Sequence, residues 1–74
     1  MNKERRTKIG NIIKKLDAVL SDLKEVLFEE EMVFDNMPEN LQCSMRGEES
    51  EEAIDLMNEA VESLQNACDN LDSI

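Results

Sequence analysis

The sequence predicts an all-α protein: an antiparallel two-helix hairpin with heptad periodicity that self-associates into a helical bundle, as a dimeric four-helix bundle or a higher assembly. Apolar residues recur in steps of three and four on both sides of Pro38, the only proline of the 74 residues. That spacing places them on one face of an α-helix. The second half also repeats its own pattern in residues 53–57, 60–64 and 67–71. A chain of this length forms a single domain.

The first helix is predicted over residues 3–36, and its apolar stripe is wider than one partner helix covers. In a heptad frame Ile9 begins one apolar position, Ile12 a second and Ile13 a third. Three apolar positions in seven exceed the two in seven of a two-stranded coil. We expect a second copy to cover the surplus, and the alternative is a monomer whose extra apolar row docks on another protein. The residues assigned to self-association are Ile9, Ile13, Leu16, Leu20, Leu23, Leu27 and Phe34.

The turn is predicted over residues 37–44 and the second helix over residues 45–73. Pro38 lacks a backbone donor and disfavours helical geometry at the residue before it, so the first helix is expected to end there. The same proline also suits the first position of a short helical turn. Ser44 and Ser50 are both candidate N-caps of the second helix, because glutamates follow each of them. The sequence leaves these two starts open.

The two helices are expected to pack in one register. Opposing them antiparallel with Leu23 beside Val61 fills every apolar layer between the helices. In that register Ile74 lies opposite Ile9, at the end of the hairpin away from the turn.

Composition argues against catalysis and against metal or cofactor binding. The chain has no histidine, two cysteines and no paired-cysteine spacing, so zinc and haem have no ligand set. Cys43 and Cys68 are separated by roughly 35 Å of helix, too far for a disulfide. The serines and cysteines lack a histidine base, and the carboxylates lack a cleft. We therefore expect a protein that is not an enzyme and has no cofactor.

The sequence contains no long apolar run. A membrane-spanning helix needs about 20 consecutive apolar residues, and none is present. Residues 1–6 are basic but lead into no uncharged apolar stretch, so they do not form a signal peptide. A cytoplasmic protein without membrane association is expected.

The turn carries the most distinctive sequence of the chain, Phe34-Asp35-Asn36-Met37-Pro38-Glu39-Asn40-Leu41-Gln42, followed by Ser44 and Arg46. Together with the Ala-Ile-Asp-like heptads, it resembles a group of small helical-hairpin proteins of phages, prophages and mobile elements of gram-positive bacteria. The resemblance covers nearly the whole chain. It implies a hairpin fold and a phage setting, in the cytoplasm of the host cell. It implies no catalytic residue and no particular ligand.

The net charge of −10 is divided unevenly along the chain. Residues 1–15 carry six basic side chains against Glu4, a net of +5. Residues 16–74 carry two basic side chains against seventeen acidic ones, a net of −15. Such asymmetry predicts a basic end that meets an anionic group.

Arg5, Arg6 and Lys8 are the candidate ligand-binding residues. Arg5 and Arg6 continue the apolar positions beyond the last layer, at a helix N-terminus that favours anions. In one interpretation they dock on the acidic turn of a second hairpin and serve assembly. In the other, hairpins pair with their basic ends together and surround a pocket for a phosphate-bearing small molecule. Such a phage protein is expected to sequester a nucleotide-derived signal of a host defence system, without the Tyr or Trp on which bases often stack.

The acidic surface supplies an alternative function. Its charge opposes the phosphate backbone, so long nucleic acid is not an expected partner. The acidic runs at residues 29–31 and 48–52 are typical of a solvated helix surface. If they imitate phosphates instead, they occupy the site of a nucleic-acid enzyme, and the protein is an acidic protein-binding inhibitor whose possible partner is a host defence protein. The other alternative is a coiled-coil assembly factor, and neither alternative has a small-molecule ligand. Phe28 is then the candidate partner contact, while Glu30, the single acid in the apolar register, is a candidate device for setting that register.

Overall fold

The computed structural model describes residues 1–74 as three helices without strands. They are α1 (Lys3–Asp35), α2 (Glu39–Gln42) and α3 (Met45–Asp72). The long helices α1 and α3 pack against each other as a hairpin, and the Cα atoms extend over 58 × 14 × 13 Å. The predicted all-α hairpin is therefore confirmed. None of the three helices combines the length and the apolar character that crossing a membrane requires.

Helix α1 is capped by polar side chains at both ends. The Asn2 side chain accepts a hydrogen bond of 2.9 Å from the Arg5 amide, which satisfies one free donor of the first turn. At the other end the Gln42 side-chain amide donates to the Phe34 carbonyl at 3.0 Å. The helix ends at Asp35, three residues before Pro38, because a proline disfavours helical geometry at its predecessor.

The connection between the long helices contains one helical turn. Pro38 has φ −55° and ψ 148° and occupies the N-cap position of α2, where a missing backbone donor has no cost. Its carbonyl accepts from the Leu41 amide at 2.9 Å and the Gln42 amide at 3.1 Å. The segment expected as a turn is thus a compact structure held by its own hydrogen bonds.

Helix α3 begins after Ser44, which decides between the two candidate starts. Ser44 is extended, with φ −86° and ψ 172°, and its hydroxyl accepts from the Gly47 amide at 3.5 Å. Its carbonyl accepts from the Glu48 amide at 2.9 Å. Ser50 lies inside the helix and is buried.

Gly47 allows α2 to pack closely against the first turn of α3. A Cβ atom at this position would lie 2.5 Å from the Leu41 carbonyl oxygen and from the Gln42 carbonyl carbon, and closer still to the Gln42 carbonyl oxygen. Real Cβ contacts are essentially never below 3.0 Å. The glycine is therefore required by close backbone approach and not by an unusual backbone angle.

The core is a narrow seam between α1 and α3. Its buried apolar residues are Leu20, Leu27 and Cys68. Half-buried apolar side chains continue the seam on both helices: Ile9, Ile13, Leu16, Leu23 and Phe34 on α1, and Ile54, Met57, Val61, Leu64 and Leu71 on α3. A core this small supplies only about 3–5 kcal/mol of stability by itself.

Candidate functional site

The basic side chains lie at the open end of the hairpin, the end away from α2. Arg5, Arg6 and Lys8 occupy the first two turns of α1 and are all exposed. The only ion pair of the hairpin joins the Lys8 ammonium to Glu4 at 3.8 Å, with both side chains mostly in solvent. An exposed pair of this kind contributes little free energy, so Lys8 remains available to another anion.

A shallow groove of about 180 Å³ lies at the same end of the hairpin. Arg6 lines it, while Arg5 and Lys8 do not. Apart from Arg6 and Asp72 its walls are apolar or lack a side chain, and they come from both helices: Ile9, Gly10, Ile13, Leu71 and Ile74. Arg6 therefore borders the last layer of the hairpin, whereas the register predicted from the sequence left it beyond that layer.

Folding back the chain changes the distribution of charge in space. Residues 1–15 and 60–74, which form the open half of the rod, carry six basic side chains and four acidic ones, a net of +2. Residues 16–59, which form the half that contains the turn, carry two basic and fourteen acidic side chains, a net of −12. The hairpin is thus strongly asymmetric in charge along its 58 Å length.

The seven residues assigned to self-association lie on the side of α1 that faces α3. Leu20 and Leu27 are buried there, and the other five are half-buried. The apolar row that the hairpin leaves exposed is a different one, with side chains 47–52 % exposed. It consists of Ile12, Val19, Val26 and Val33.

A row of small residues on α3 lies on the same side of the hairpin as this exposed row. Val33 and Arg46 line one groove near the turn, of about 290 Å³, and therefore lie on one side of the seam. Stepping seven residues at a time from Arg46 along α3 gives Ala53, Ala60 and Ala67. Since seven residues are nearly two helical turns, all of them share that side. We call the two rows together the apolar face.

Glu30 and Ser50 form a polar contact across the seam. The buried Ser50 hydroxyl donates a hydrogen bond of 2.6 Å to a carboxylate oxygen of the half-buried Glu30. The sequence marked Glu30 as an acid in the apolar register but not Ser50 as its partner. The sequence does contain an indication of this contact. Ser50 precedes Met57 and Leu64 by one and two heptads and therefore shares their position in the apolar stripe.

Both cysteines are free, and their environments differ. Cys43 is exposed, whereas Cys68 is buried in the seam. Burial raises the pKa of the Cys68 thiol, and the negative charge of the nearby Asp17 adds to the effect. Cys68 is therefore a core side chain that resists ionisation and not a nucleophile. No group of three or more histidine, cysteine or acidic side chains is arranged to hold a metal ion.

Phe28 is 61 % exposed and lies on the outer side of α1, away from α3. It belongs neither to the seam nor to the apolar face. Its neighbours on the helix surface are Glu25, Glu29 and the exposed Met32, four residues further along α1.

No protein-family model, curated protein or solved structure matches this chain. The candidate sites are therefore the basic end and the apolar face, defined by their own chemistry.

Proposed function

We propose that this protein is a non-enzymatic binding protein of phage type that captures a compact, nucleotide-derived anion at the basic end of a homo-oligomer. In the cytoplasm of the host, such capture would withdraw a signal from a defence system. The observation that supports it is that Arg5, Arg6 and Lys8 are all exposed in the first two turns of α1, at one end of an otherwise acidic rod, and that Arg6 lines an apolar-walled groove there.

The charge distribution favours a small anion over a long one. At physiological ionic strength, charges are screened beyond about 8 Å. A compact ligand at the basic end therefore meets mainly the arginines and the lysine. A nucleic acid laid along the 58 Å rod would meet the half with a net charge of −12. The basic end thus attracts a nucleotide, whereas the acidic half repels a polymer of nucleotides.

Arginine supplies the chemistry that phosphate recognition requires. Its planar guanidinium forms paired hydrogen bonds with phosphate oxygens and remains charged at every physiological pH. Ile9, Ile13 and Leu71 offer apolar contact to a base or a sugar. Since no Tyr or Trp is present, we expect phosphate contacts to dominate and the identity of the base to matter less.

The size of the groove favours a site shared between copies. Pockets that bind nucleotide-sized molecules usually enclose about 300–1,000 Å³. The groove of one hairpin encloses about 180 Å³, enough for part of such a ligand. A second copy would supply the remaining walls.

The proposal is tested by native mass spectrometry and calorimetry with a panel of cyclic nucleotides and ADP-ribose derivatives. We expect an oligomer that gains a discrete ligand mass in a fixed ratio to chains. Replacing both arginines, Arg5→Ala with Arg6→Ala, removes two charge-assisted contacts and should weaken binding by about 100-fold.

The matched control for this double variant is Lys14→Ala with Lys24→Ala. It removes the same positive charge from exposed positions of α1 outside the groove. We expect its affinity to stay within about threefold of wild type, because screened charges act weakly at that distance. Equal losses in the two variants, or no bound mass across the panel, would contradict the proposal.

A second function is favoured by the exposure of Phe28. A large exposed aromatic side chain on the outer side of α1, with Glu25 and Glu29 near it, suits an acidic inhibitor that inserts one anchor into a protein partner. In that case Phe28→Ala would abolish capture of a host defence protein while leaving nucleotide binding and assembly unchanged.

A further inference from the structure

The apolar face of the hairpin runs nearly its full length and ends in an arginine at each end. On α1 the row is Arg5, Ile12, Val19, Val26 and Val33, and on α3 it is Arg46, Ala53, Ala60 and Ala67. Because the helices are antiparallel, Arg5 lies at the open end and Arg46 beside Val33 at the turn. The exposed apolar side chains of α1 would pack well only against another apolar surface.

A row of charged residues borders this face on α1. Lys8, Lys15, Asp22 and Glu29 follow one another at seven-residue spacing and are all exposed. Each precedes an apolar-face residue of α1 by four positions, so the row lies beside the face on the side away from α3. Its order is basic, basic, acidic, acidic. A row of this kind is complementary to its own copy when the copy runs in the opposite direction.

We propose that a second copy of this chain packs on the apolar face with its long axis reversed, about a twofold axis that passes near Val19 and Ala60. Helix α1 then lies on the partner's α1, and α3 on the partner's α3. Lys8 faces the partner's Glu29, and Lys15 faces the partner's Asp22. The twofold axis doubles these contacts to four ion pairs that flank an apolar centre, an arrangement that selects partner orientation in helical bundles.

The opposite orientation, with both basic ends together, lacks this complementarity. In it α1 lies on the partner's α3, so that Lys8 and Lys15 face the partner's Asn70 and Ser63. Glu29 then faces the partner's Glu49, a pair of like charges. The two halves with a net charge of −12 also lie side by side, whereas reversal places each of them beside a half of +2. Charge therefore selects the reversed pair.

The reversed pair also makes the basic end a composite site. The partner's Arg46 lies near Arg5, because Arg5 faces the partner's Val33 and Arg46 lies beside Val33 in each hairpin. Lys8 is engaged by the partner's Glu29, so the anion contacts fall to Arg5, Arg6 and the partner's Arg46. This last step rests on the proposed function, but the pairing itself does not.

Disulfide trapping tests the orientation in a Cys43→Ser background, in which only the buried Cys68 remains. Residues on the twofold axis meet their own copies, so Ala60→Cys alone should form a covalent dimer under mild oxidation. Val26→Cys is the matched control, because in the reversed pair it faces the partner's Ile12 and should stay uncrosslinked. An equimolar mixture of Val19→Cys and Ala60→Cys chains should give only homodimers. Mixed dimers in that sample, or no Ala60→Cys dimer, would overturn the proposal.

Charge exchange tests the flanking row by a route that needs no cysteine. Lys8→Glu with Lys15→Asp makes the row wholly acidic and should weaken dimerisation at least about tenfold in low salt, measured by sedimentation equilibrium. Adding Asp22→Lys and Glu29→Lys inverts the row and restores its self-complementarity. The fourfold variant should therefore regain the wild-type dissociation constant, with unchanged helix content by circular dichroism. If the fourfold variant stays as weak as the twofold one, or the twofold one dimerises as wild type, the row does not direct pairing.

These experiments separate the pairing from ligand capture. Failed trapping with nucleotide binding intact overturns the reversed pair and leaves the proposed function standing. Successful trapping without nucleotide binding supports the reversed pair and overturns the proposed function. If both succeed, Arg46→Ala should lower nucleotide affinity about tenfold, and unchanged affinity would remove Arg46 from the site.

Discussion

At the residue scale, single side chains at the turn decide how the hairpin closes. Gly47 lets the first turn of α3 pack on the carbonyls of Leu41 and Gln42, and Ser44 is the N-cap of the same helix. At Gly10, the other glycine, an added Cβ atom would have no neighbour within 4 Å. The two glycines therefore have opposite consequences for stability, although both are helical.

Gly47→Ala should destabilise the protein by about 1–2 kcal/mol, because overpacking against backbone outweighs the gain in helix propensity. Gly10→Ala should stabilise it by about 0.5–1 kcal/mol, because only the propensity changes. Urea unfolding followed by circular dichroism measures both values. A stabilising Gly47→Ala would show that α2 does not pack on α3 in this way.

At the element scale, one polar contact fixes how α1 slides along α3. The Glu30 carboxylate and the buried Ser50 hydroxyl meet across an otherwise apolar seam. A shift of one heptad would separate them and leave Ser50 unpaired among apolar side chains. Polar pairs of this kind set register in helical bundles at some cost in stability.

Ser50→Ala should destabilise the hairpin by about 1 kcal/mol. This is less than the loss of a fully buried hydrogen bond to a charged group would cost, because Glu30 is only half-buried. Replacing both partners, Glu30→Leu with Ser50→Ala, should be neutral or stabilising, since the seam is then filled by apolar side chains and no buried polar group is left unpaired. The exposed Ser63→Ala is the control and should change the free energy of unfolding by less than about 0.5 kcal/mol. Equal free energies for Ser50→Ala and Ser63→Ala would mean that the contact has no net effect on stability.

At the scale of the whole molecule, a thin hairpin with few buried side chains presents a continuous apolar face. Three buried apolar residues make a small core for a rod 58 Å long. A small core gains from association, because burying the apolar face adds hydrophobic free energy that one hairpin does not have. Stability should therefore depend on protein concentration.

The Tm of the wild-type protein should rise by several degrees between about 10 µM and about 1 mM, because association stabilises the folded state by mass action. Val26→Glu, on the apolar face, should lower the Tm and remove this dependence. Phe28→Glu, at an exposed apolar position on the outer side of α1, should retain it. A Tm independent of concentration would identify the hairpin as a stable monomer.

Local patterns in the sequence determined the helices, the chain reversal and the basic end. The spacing of apolar residues, Pro38 and the charges of residues 1–15 each act within a few residues, so they can be read without tertiary contacts. Tertiary structure alone decided which two of the three apolar rows on α1 face α3. That choice leaves Ile12 and its row exposed, whereas Leu20 is buried. It also assigned the start of α3 to Ser44, because the fit of Gly47 against α2 depends on a contact between elements that no local pattern encodes.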